Sequence, residues 1–177
     1  MAYISIIIIE GNGYMKLIPI GIENFKEMID KNYYYIDKTN LIIDFLNEQV
    51  IFCTRPRRFG KTLNMSMLYY FFSIKEKENA YLFDYLNISK NKNALKDQNK
   101  YPTIFISLKD MKKSSYEKQM NRFKEVICLC AKNFLELLNS DILLDSEKKL
   151  FQKYVDNEIQ DNELESALFN ISYFLYK

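Results

Sequence analysis

Three consecutive residues, Gly60, Lys61 and Thr62, form the end of the pattern G-x-x-x-x-G-K-[ST], which is typical of phosphate-binding loops. In such a loop the glycine lets the backbone approach a phosphate, the lysine supplies a mobile cation for the β and γ phosphates, and the threonine hydroxyl ligates Mg²⁺. Arg55 stands where the pattern has its first glycine, and residues 56–58 (PRR) follow it. The spacing therefore indicates either a nucleotide site with an unusual entrance or a basic turn that imitates one.

The segments around this loop have the order that phosphate binding requires. Residues 50–53 (VIFC) are continuously apolar and predict a buried parallel strand, although this periodicity also fits a helix. Residues 63–72 are apolar nearly all round and predict a buried helix. A helix that starts just after a tight loop directs unpaired N–H groups and its positive dipole end at an anion. The alternative is that Arg57 and Arg58 form a solvated turn and Lys61 merely occupies the first helical turn.

The remaining pattern predicts more helix than strand. Residues 41–46 (LIIDFL) predict a helix capped by Asn40 or Thr39. Residues 103–108 (TIFISL) predict a second strand, and the polar segment 87–100 before it predicts a solvated loop. Long helical patterns close the chain at 116–138 and 145–176, the second with a break near 156–161.

Composition excludes several kinds of site. The chain of 177 residues has no histidine, which removes His general bases, Ser/His or Cys/His nucleophile pairs and His-containing zinc sites. Its cysteines, Cys53, Cys128 and Cys130, form no CxxC pair and predict free thiols in a reducing compartment. A net charge of +2 gives no global attraction to nucleic acid or membrane. We expect a cytoplasmic protein with no membrane contact, whose basic site is local.

The pattern of residues 1–14 indicates a leader without function. Their apolar run is far shorter than the ~20 residues that span a bilayer, and no basic segment or small-residue cleavage site accompanies it. Residues 10–14 (EGNGY) look like a translated purine-rich ribosome-binding stretch. We therefore expect translation to start at Met15 and the domain to occupy residues 15–177.

Several segments resemble the AAA-ATPase-like family of bacterial and archaeal proteins. Residues 33–42 (YYYIDKTNLI) and 52–72 (FCTRPRRFGKTLNMSMLYYFF) look like that family's paired signatures, and residues 17–25 (LIPIGIENF) are similar to its opening phrase. Two downstream segments are also similar, 82–88 (LFDYLNI) and 101–112 (YPTIFISLKDMK). The phosphate loop of this family has the pattern R-P-R-R-F-G-K-[ST]. Arg55 therefore departs from the general phosphate-loop pattern but agrees with the pattern of the family.

The resemblance implies ATP and Mg²⁺ as ligands, with Lys61 as the catalytic cation and Thr62 as the metal ligand. Arg57 and Arg58 are candidates for phosphate contact because a guanidinium fork suits phosphate, or else they pair with carboxylates. The implied cofactor-binding residues are Arg57, Arg58, Phe59, Gly60, Lys61 and Thr62, with backbone of Arg58 and Phe59 completing the cradle. Asp37 and Lys38 also match the family signature, but the sequence gives them no role beyond packing beside the loop.

A P-loop ATPase needs a second acid, usually at the end of a later strand, to hold Mg²⁺ and orient the attacking water. Three acids come close to this pattern, but none fits it. Asp110 is separated from the apolar run 103–108 by a polar residue, Asp44 lies in a segment that predicts a helix, and Glu10 lies before the loop in the suspected leader. In the family, a helix like 163–177 precedes the strand that carries the acid. We therefore expect an α/β, helix-rich but incomplete P-loop NTPase (AAA-like) fold with few parallel strands, which ends before the second acidic strand and the C-terminal PD-(D/E)XK nuclease-like domain.

The first functional interpretation is an ATP-binding module whose hydrolysis is impaired by truncation. One alternative is a nucleic-acid-binding module, whose basic residues would be Arg55, Arg57, Arg58, Lys109, Lys112 and Lys113. Another is a helical protein-interaction fragment built on residues 116–176. Nucleic acid is also a possible partner of the parent protein through its C-terminal domain, and the sequence leaves self-association open.

Overall fold

The computed structural model describes residues 7–9, 15–54, 56, 59–109, 111–112 and 114–177. Its contacts divide the chain into two compact units, an N-terminal unit (Met1–Thr103) and a C-terminal unit (Ile104–Lys177). Helices dominate the described residues of both units, so the expectation of a helix-rich chain is confirmed.

The N-terminal unit begins with a short antiparallel strand pair. Strand β1 (Ile7–Ile9) pairs with strand β2 (Met15–Leu17), with Ile7 opposite Leu17 and Ile9 opposite Met15. Part of the segment interpreted as a leader is therefore a strand that pairs with Met15–Leu17. Translation from Met15 stays a prediction.

Three α-helices follow in this unit: α1 (Phe25–Asp30), α2 (Leu41–Asn47) and α3 (Lys61–Phe72). The predictions of α2 and α3 are confirmed, but Asn40 makes no side-chain capping hydrogen bond to α2. Segment 87–100 is not simply a solvated loop, because it contains two short 3-10 helices, Asn87–Lys90 and Ala94–Asp97, whose Ile88 and Ala94 are buried. A longer run of 3-10 turns, Ile74–Phe83, lies between α3 and these segments.

The core of the N-terminal unit holds α3 in place. Phe25 of α1 stacks on Phe83 at a ring distance of 5.2 Å, and Phe71 of α3 contacts the same ring edge-on at 5.1 Å. The backbone N–H of Phe25 donates to the buried hydroxyl of Ser66 at 3.0 Å, which ties the start of α1 to the middle of α3. Because burying an aromatic side chain stabilises a fold by roughly 1.5–3 kcal/mol, these contacts fix the helix that carries the glycine-lysine-threonine turn.

Both predicted strands are wrong. Residues 50–53 and 103–108 form no strand, and pairing in the described part of the chain consists of β1 with β2 and an isolated parallel bridge between Ser73 and Tyr101. A strand depends on hydrogen bonds to a neighbouring strand, whatever its own apolar content. Val50 and Phe52 accordingly stay 71% and 88% exposed, where a buried strand would have covered them.

The C-terminal unit confirms the predicted helices, except that the first ends at Lys132 where the pattern extended it to residue 138. It contains α4 (Tyr116–Lys132), a 3-10 turn (Leu135–Asn139), α5 (Asp145–Asp156) and α6 (Asp161–Tyr176). The predicted break lies between α5 and α6, where Asn157 adopts a left-handed conformation with φ 62°. Apolar faces of these helices meet in one core, whose fully buried members include Ala131, Phe151, Tyr154, Ala167 and Ile171.

The three cysteines are free thiols, Cys53 exposed and Cys128 and Cys130 buried. Within the described residues, no helix is both long enough and apolar enough to cross a membrane.

Candidate functional site

Gly60 immediately precedes α3 and adopts a left-handed backbone conformation, with φ 73° and ψ 22°. An L-residue pays about 1–2 kcal/mol for this conformation, whereas glycine adopts it freely. A β-carbon at this position would meet no atom within 4 Å. The glycine is therefore required by the direction of the chain as it enters the helix, and space beside the backbone remains open.

Lys61 and Thr62 form the exposed first turn of α3. The N–H of Asn64 donates to the carbonyl oxygen of Gly60 at 2.9 Å, so the helical hydrogen-bond ladder starts there and the N–H groups of the preceding turn lack helical acceptors. No acidic side chain lies in this first turn, which the structure describes completely. Together with the helix dipole, the turn is electrostatically suited to an anion.

Lys61 borders two grooves of the N-terminal unit. The first groove has a volume of about 880 Å³ and lies between the start of α2, residues 51–54 and one side of α3. Its wall is mostly apolar, and its polar members include Lys38, Thr54 and Asn64. The residues lining it are Lys38, Leu41, Phe45, Ile51, Phe52, Cys53, Thr54, Phe59, Lys61, Asn64, Met65 and Leu68.

The second groove, of about 660 Å³, lies between residues 60–63 and the turn at residues 19–23. Gly21 in that turn has φ 78°, a left-handed conformation that glycine adopts without strain. Asn24 holds the turn in place, because its side chain accepts the N–H of Glu27 at 3.0 Å and donates to the Tyr70 hydroxyl at 3.1 Å. The candidate site is thus formed by α3 and by a turn that Asn24 links to α3 through Tyr70.

Asp37 and Thr39 form a hydrogen-bonded clamp beside this site. One carboxylate oxygen of Asp37 accepts the N–H and the hydroxyl of Thr39 at 2.8 and 2.7 Å, and the other accepts the N–H of Asn87 at 2.6 Å. The hydroxyl of Thr39, a fully buried residue, in turn accepts the N–H of Ile88 at 3.1 Å. The structure therefore gives Asp37 a role that the sequence did not, since it fixes the turn before α2 to the 3-10 helix at Asn87–Lys90.

The predicted site residues are only partly within the described chain. Gly60, Lys61 and Thr62 lie together at the start of α3, and Phe59 is 58% exposed beside them. Arg57 and Arg58 lie outside the described residues, as do Arg55 and Lys113 of the alternative basic surface. Sequence reasoning missed Lys38 as a groove residue, although its position inside the family signature 33–42 was a usable signal.

Among the described residues, no cluster of three or more His, Cys, Asp or Glu side chains could hold a metal ion. A magnesium ion bound mainly through nucleotide phosphates and water needs no such cluster, since Mg²⁺ keeps several of its waters and takes few protein ligands. The Thr62 hydroxyl, exposed at the start of α3, is the kind of oxygen ligand that such an ion uses.

A glycine in the left-handed region, followed by lysine and threonine at an exposed helix start, defines a candidate phosphate-binding protein. The family model described as a predicted AAA-ATPase matches residues 19–169, and the chain belongs to this family. It is also 40% identical over 55 residues to an uncharacterized protein in the vnfD 5′ region of Azotobacter chroococcum mcd 1. That match covers 30% of this chain and 11% of the relative's length. No solved structure matches the chain.

Proposed function

We propose that this chain is an ATP-binding module, which binds MgATP at the start of α3. The observation that carries the proposal is the left-handed Gly60 followed by exposed Lys61 and Thr62, in a chain of the predicted AAA-ATPase family. A helix start whose first N–H groups lack helical acceptors, together with a lysine and a hydroxyl, is a combination that favours a nucleotide polyphosphate over a neutral ligand.

Each residue has a distinct role in this proposal. The backbone N–H groups of residues 60–62 contact the phosphates, Lys61 neutralises charge on the β and γ phosphates, and the Thr62 hydroxyl ligates Mg²⁺. We also propose phosphate contacts for the backbone of Arg58 and Phe59 and for the side chains of Arg57 and Arg58, although Arg57 and Arg58 lie outside the described residues. The bound Mg²⁺ supplies charge neutralisation at the phosphate oxygens.

We also propose that residues 1–177 by themselves turn over ATP slowly or not at all. The sequence after the loop offers no carboxylate in the strand-ending position that orients the attacking water in P-loop ATPases. ATP hydrolysis by the longer relatives, and any contact of theirs with nucleic acid, are further proposals that rest on this one.

A thermal melt of the full chain with and without MgATP tests the binding. ATP at 100 times its dissociation constant should stabilise the folded state by about 2.7 kcal/mol, which raises the melting temperature by about 5 to 10 °C. The rise should disappear in Lys61→Ala. The matched control is Lys77→Ala, which removes the same charge from an exposed position bordering neither groove.

Two results would contradict the proposal. One is a melt of the wild-type chain that MgATP leaves unchanged. The other is an equal rise in the wild type and in Lys61→Ala, which would mean that the nucleotide binds elsewhere. Tight binding of an oligonucleotide with a steep salt dependence, without any response to MgATP, would favour the nucleic-acid alternative.

A further inference from the structure

We propose that Lys38 is a second cation of the nucleotide site and contacts the terminal phosphate of a nucleoside triphosphate. This inference rests on the proposed function, because it concerns the same site. It adds a residue from outside the phosphate loop and α3, and it predicts which nucleotide the site prefers.

The position of Lys38 is the first argument. Lys38 borders the first groove together with Lys61, and it borders a smaller groove of about 370 Å³ together with Phe59 and Gly60. These two grooves flank the end of the phosphate loop. Although Lys38 and Lys61 are far apart in sequence, the fold therefore brings both cations to the wall of one groove.

The rigidity of its backbone is the second argument. The residues on either side of Lys38 are fixed by the clamp described above, through Asp37 and the buried Thr39. The N–H of Lys38 itself donates to the hydroxyl of Tyr35 at 3.3 Å. A lysine on a flexible loop loses both backbone and side-chain entropy when it binds a ligand. The backbone around the exposed Lys38 is already ordered, so binding has to order only its side chain.

Electrostatics supply the third argument. No aspartate or glutamate is among the described residues that line the first groove, and Lys38 forms no ion pair with a described carboxylate. Leu41, Phe45 and Leu68 make its walls apolar, so the field of a lysine is screened less there than on an open surface. A groove lined by two lysines and, among the described residues, by no carboxylate is suited to a multivalent anion.

The terminal phosphate is the one that Lys38 should contact. Backbone N–H groups and Lys61 serve the phosphates held at the helix start. The γ phosphate is the most highly charged part of the nucleotide and can take a second cation beside Lys61, which Lys38 supplies from the turn before α2. A diphosphate lacks this group, so the contribution of Lys38 should depend on the third phosphate.

Calorimetric titration of the full chain with MgATP and with MgADP tests this inference. Lys38→Met removes the charge but keeps an apolar stem of similar length in the groove, and Lys77→Met is the matched control. We expect Lys38→Met to weaken ATP binding about tenfold, which corresponds to about 1.4 kcal/mol, and ADP binding less than about twofold. Lys77→Met should bind both nucleotides as the wild type does. A circular-dichroism melt of each variant verifies that it folds.

The contrary outcomes separate this inference from the proposed function. If Lys38→Met folds and binds ATP as tightly as the wild type, the inference is overturned while ATP binding stands. Equal weakening of ATP and ADP would overturn the assignment to the terminal phosphate. If the wild-type chain binds neither nucleotide, the proposed function fails and the inference fails with it.

Discussion

Position 60 needs a residue that tolerates a positive φ, and this requirement is separate from phosphate binding. Gly21, on the opposite wall of the second groove, has a similar conformation with φ 78° and equally open space around its α-carbon. Both turns of the site therefore depend on glycine for the direction of the chain. A side chain at either position would fit sterically but would strain the backbone.

Replacing Gly60 by alanine should lower the free energy of unfolding of the N-terminal unit by about 1 kcal/mol. Alanine is strained at this φ, and its restriction of the unfolded chain offsets only part of that cost. Asparagine enters the left-handed region more readily, so Gly60→Asn should recover part of the loss. Urea unfolding at neutral pH measures both variants. A loss equal in the two variants would argue against strain as the cause.

The sequence predicted part of the site for a physical reason. Gly60, Lys61 and Thr62 are adjacent, so a local pattern contains all three, and the helix after them has a strong apolar pattern of its own. The sequence assigned Lys38 no role because Lys38 and Lys61 come to one groove through tertiary folding around a shared core, which no spacing in the sequence records. The sequence likewise assigned Asp37 no role, because its hydrogen-bond partner Asn87 is distant in the chain.

At the scale of elements, charged pairs join α5 to α6 at two places. The ammonium group of Lys177 contacts Glu147 near the start of α5 at 2.6 Å, and that of Lys153 contacts Glu163 near the start of α6 at 2.7 Å. Each glutamate also accepts a backbone N–H at its helix start, Glu147 from Leu144 and Glu163 from Gln160. Since each carboxylate serves a helix cap and an ion pair, its charge supports both the helix start and the helix pairing.

These contacts predict how the C-terminal unit responds to acid. Lys177 and then the Leu144 N–H lower the pKa of Glu147, while Lys153 and then the Gln160 N–H lower the pKa of Glu163. A carboxyl whose pKa is lower in the folded state stabilises the fold above its unfolded pKa, and this contribution is lost as the pH falls through the folded pKa. The wild type should therefore be less stable toward urea in acid than at neutral pH.

The variant Glu147→Gln/Glu163→Gln should show a smaller loss of stability in acid than the wild type, because neither position can be protonated. Urea unfolding at pH 7 and at pH 3, followed by helical circular dichroism, measures the difference. Glu165→Gln, an exposed residue of α6, is the matched control and should keep the wild-type difference. If the double variant loses as much stability in acid as the wild type, these two pairs do not cause the loss.

The elements also show why sequence patterns succeed for helices and fail for strands. The pattern placed α4, α5 and α6 closely, since a helix forms its backbone hydrogen bonds within one segment. The apolar runs 50–53 and 103–108 carry the composition of strands, but strand formation depends on partners elsewhere in the chain. Apolar composition therefore predicted burial, but Val50 and Phe52 stay exposed because composition does not supply the neighbouring strands that burial requires.

On the scale of the whole molecule, each unit contains a weak acid whose pKa burial raises, the buried Cys130 and the half-buried Tyr35. Burial raises the pKa of the Cys130 thiol in the C-terminal unit to about 11. Burial likewise raises the pKa of Tyr35 in the N-terminal unit to about 12, although its hydrogen bond with the Lys38 backbone opposes this shift. Both shifts arise because a thiolate or phenolate loses its hydration inside an apolar core.

The sign of these shifts predicts destabilisation in alkali. An acid with a raised pKa in the folded state binds more protons there than when unfolded, so its contribution is complete below the unfolded pKa and is lost as the pH rises through the folded value. For Cys130 the loss should begin above about pH 9 and continue to about pH 11. For Tyr35 it should begin about one pH unit higher, near the ordinary pKa of a phenol.

Cys130→Ala separates the thiol from the other alkaline effects. The variant should be less stable than the wild type at pH 7, because it loses packing volume in the core. Its further loss between pH 8 and pH 10.5 should be smaller than that of the wild type, because it has no thiol to ionise. Cys53→Ala, at an exposed position, should keep the wild-type pH dependence. Urea unfolding in the presence of a reducing agent measures these differences. If the stability of Cys130→Ala and of the wild type falls in parallel as the pH rises, the buried thiol is not the group that causes the loss of stability in alkali.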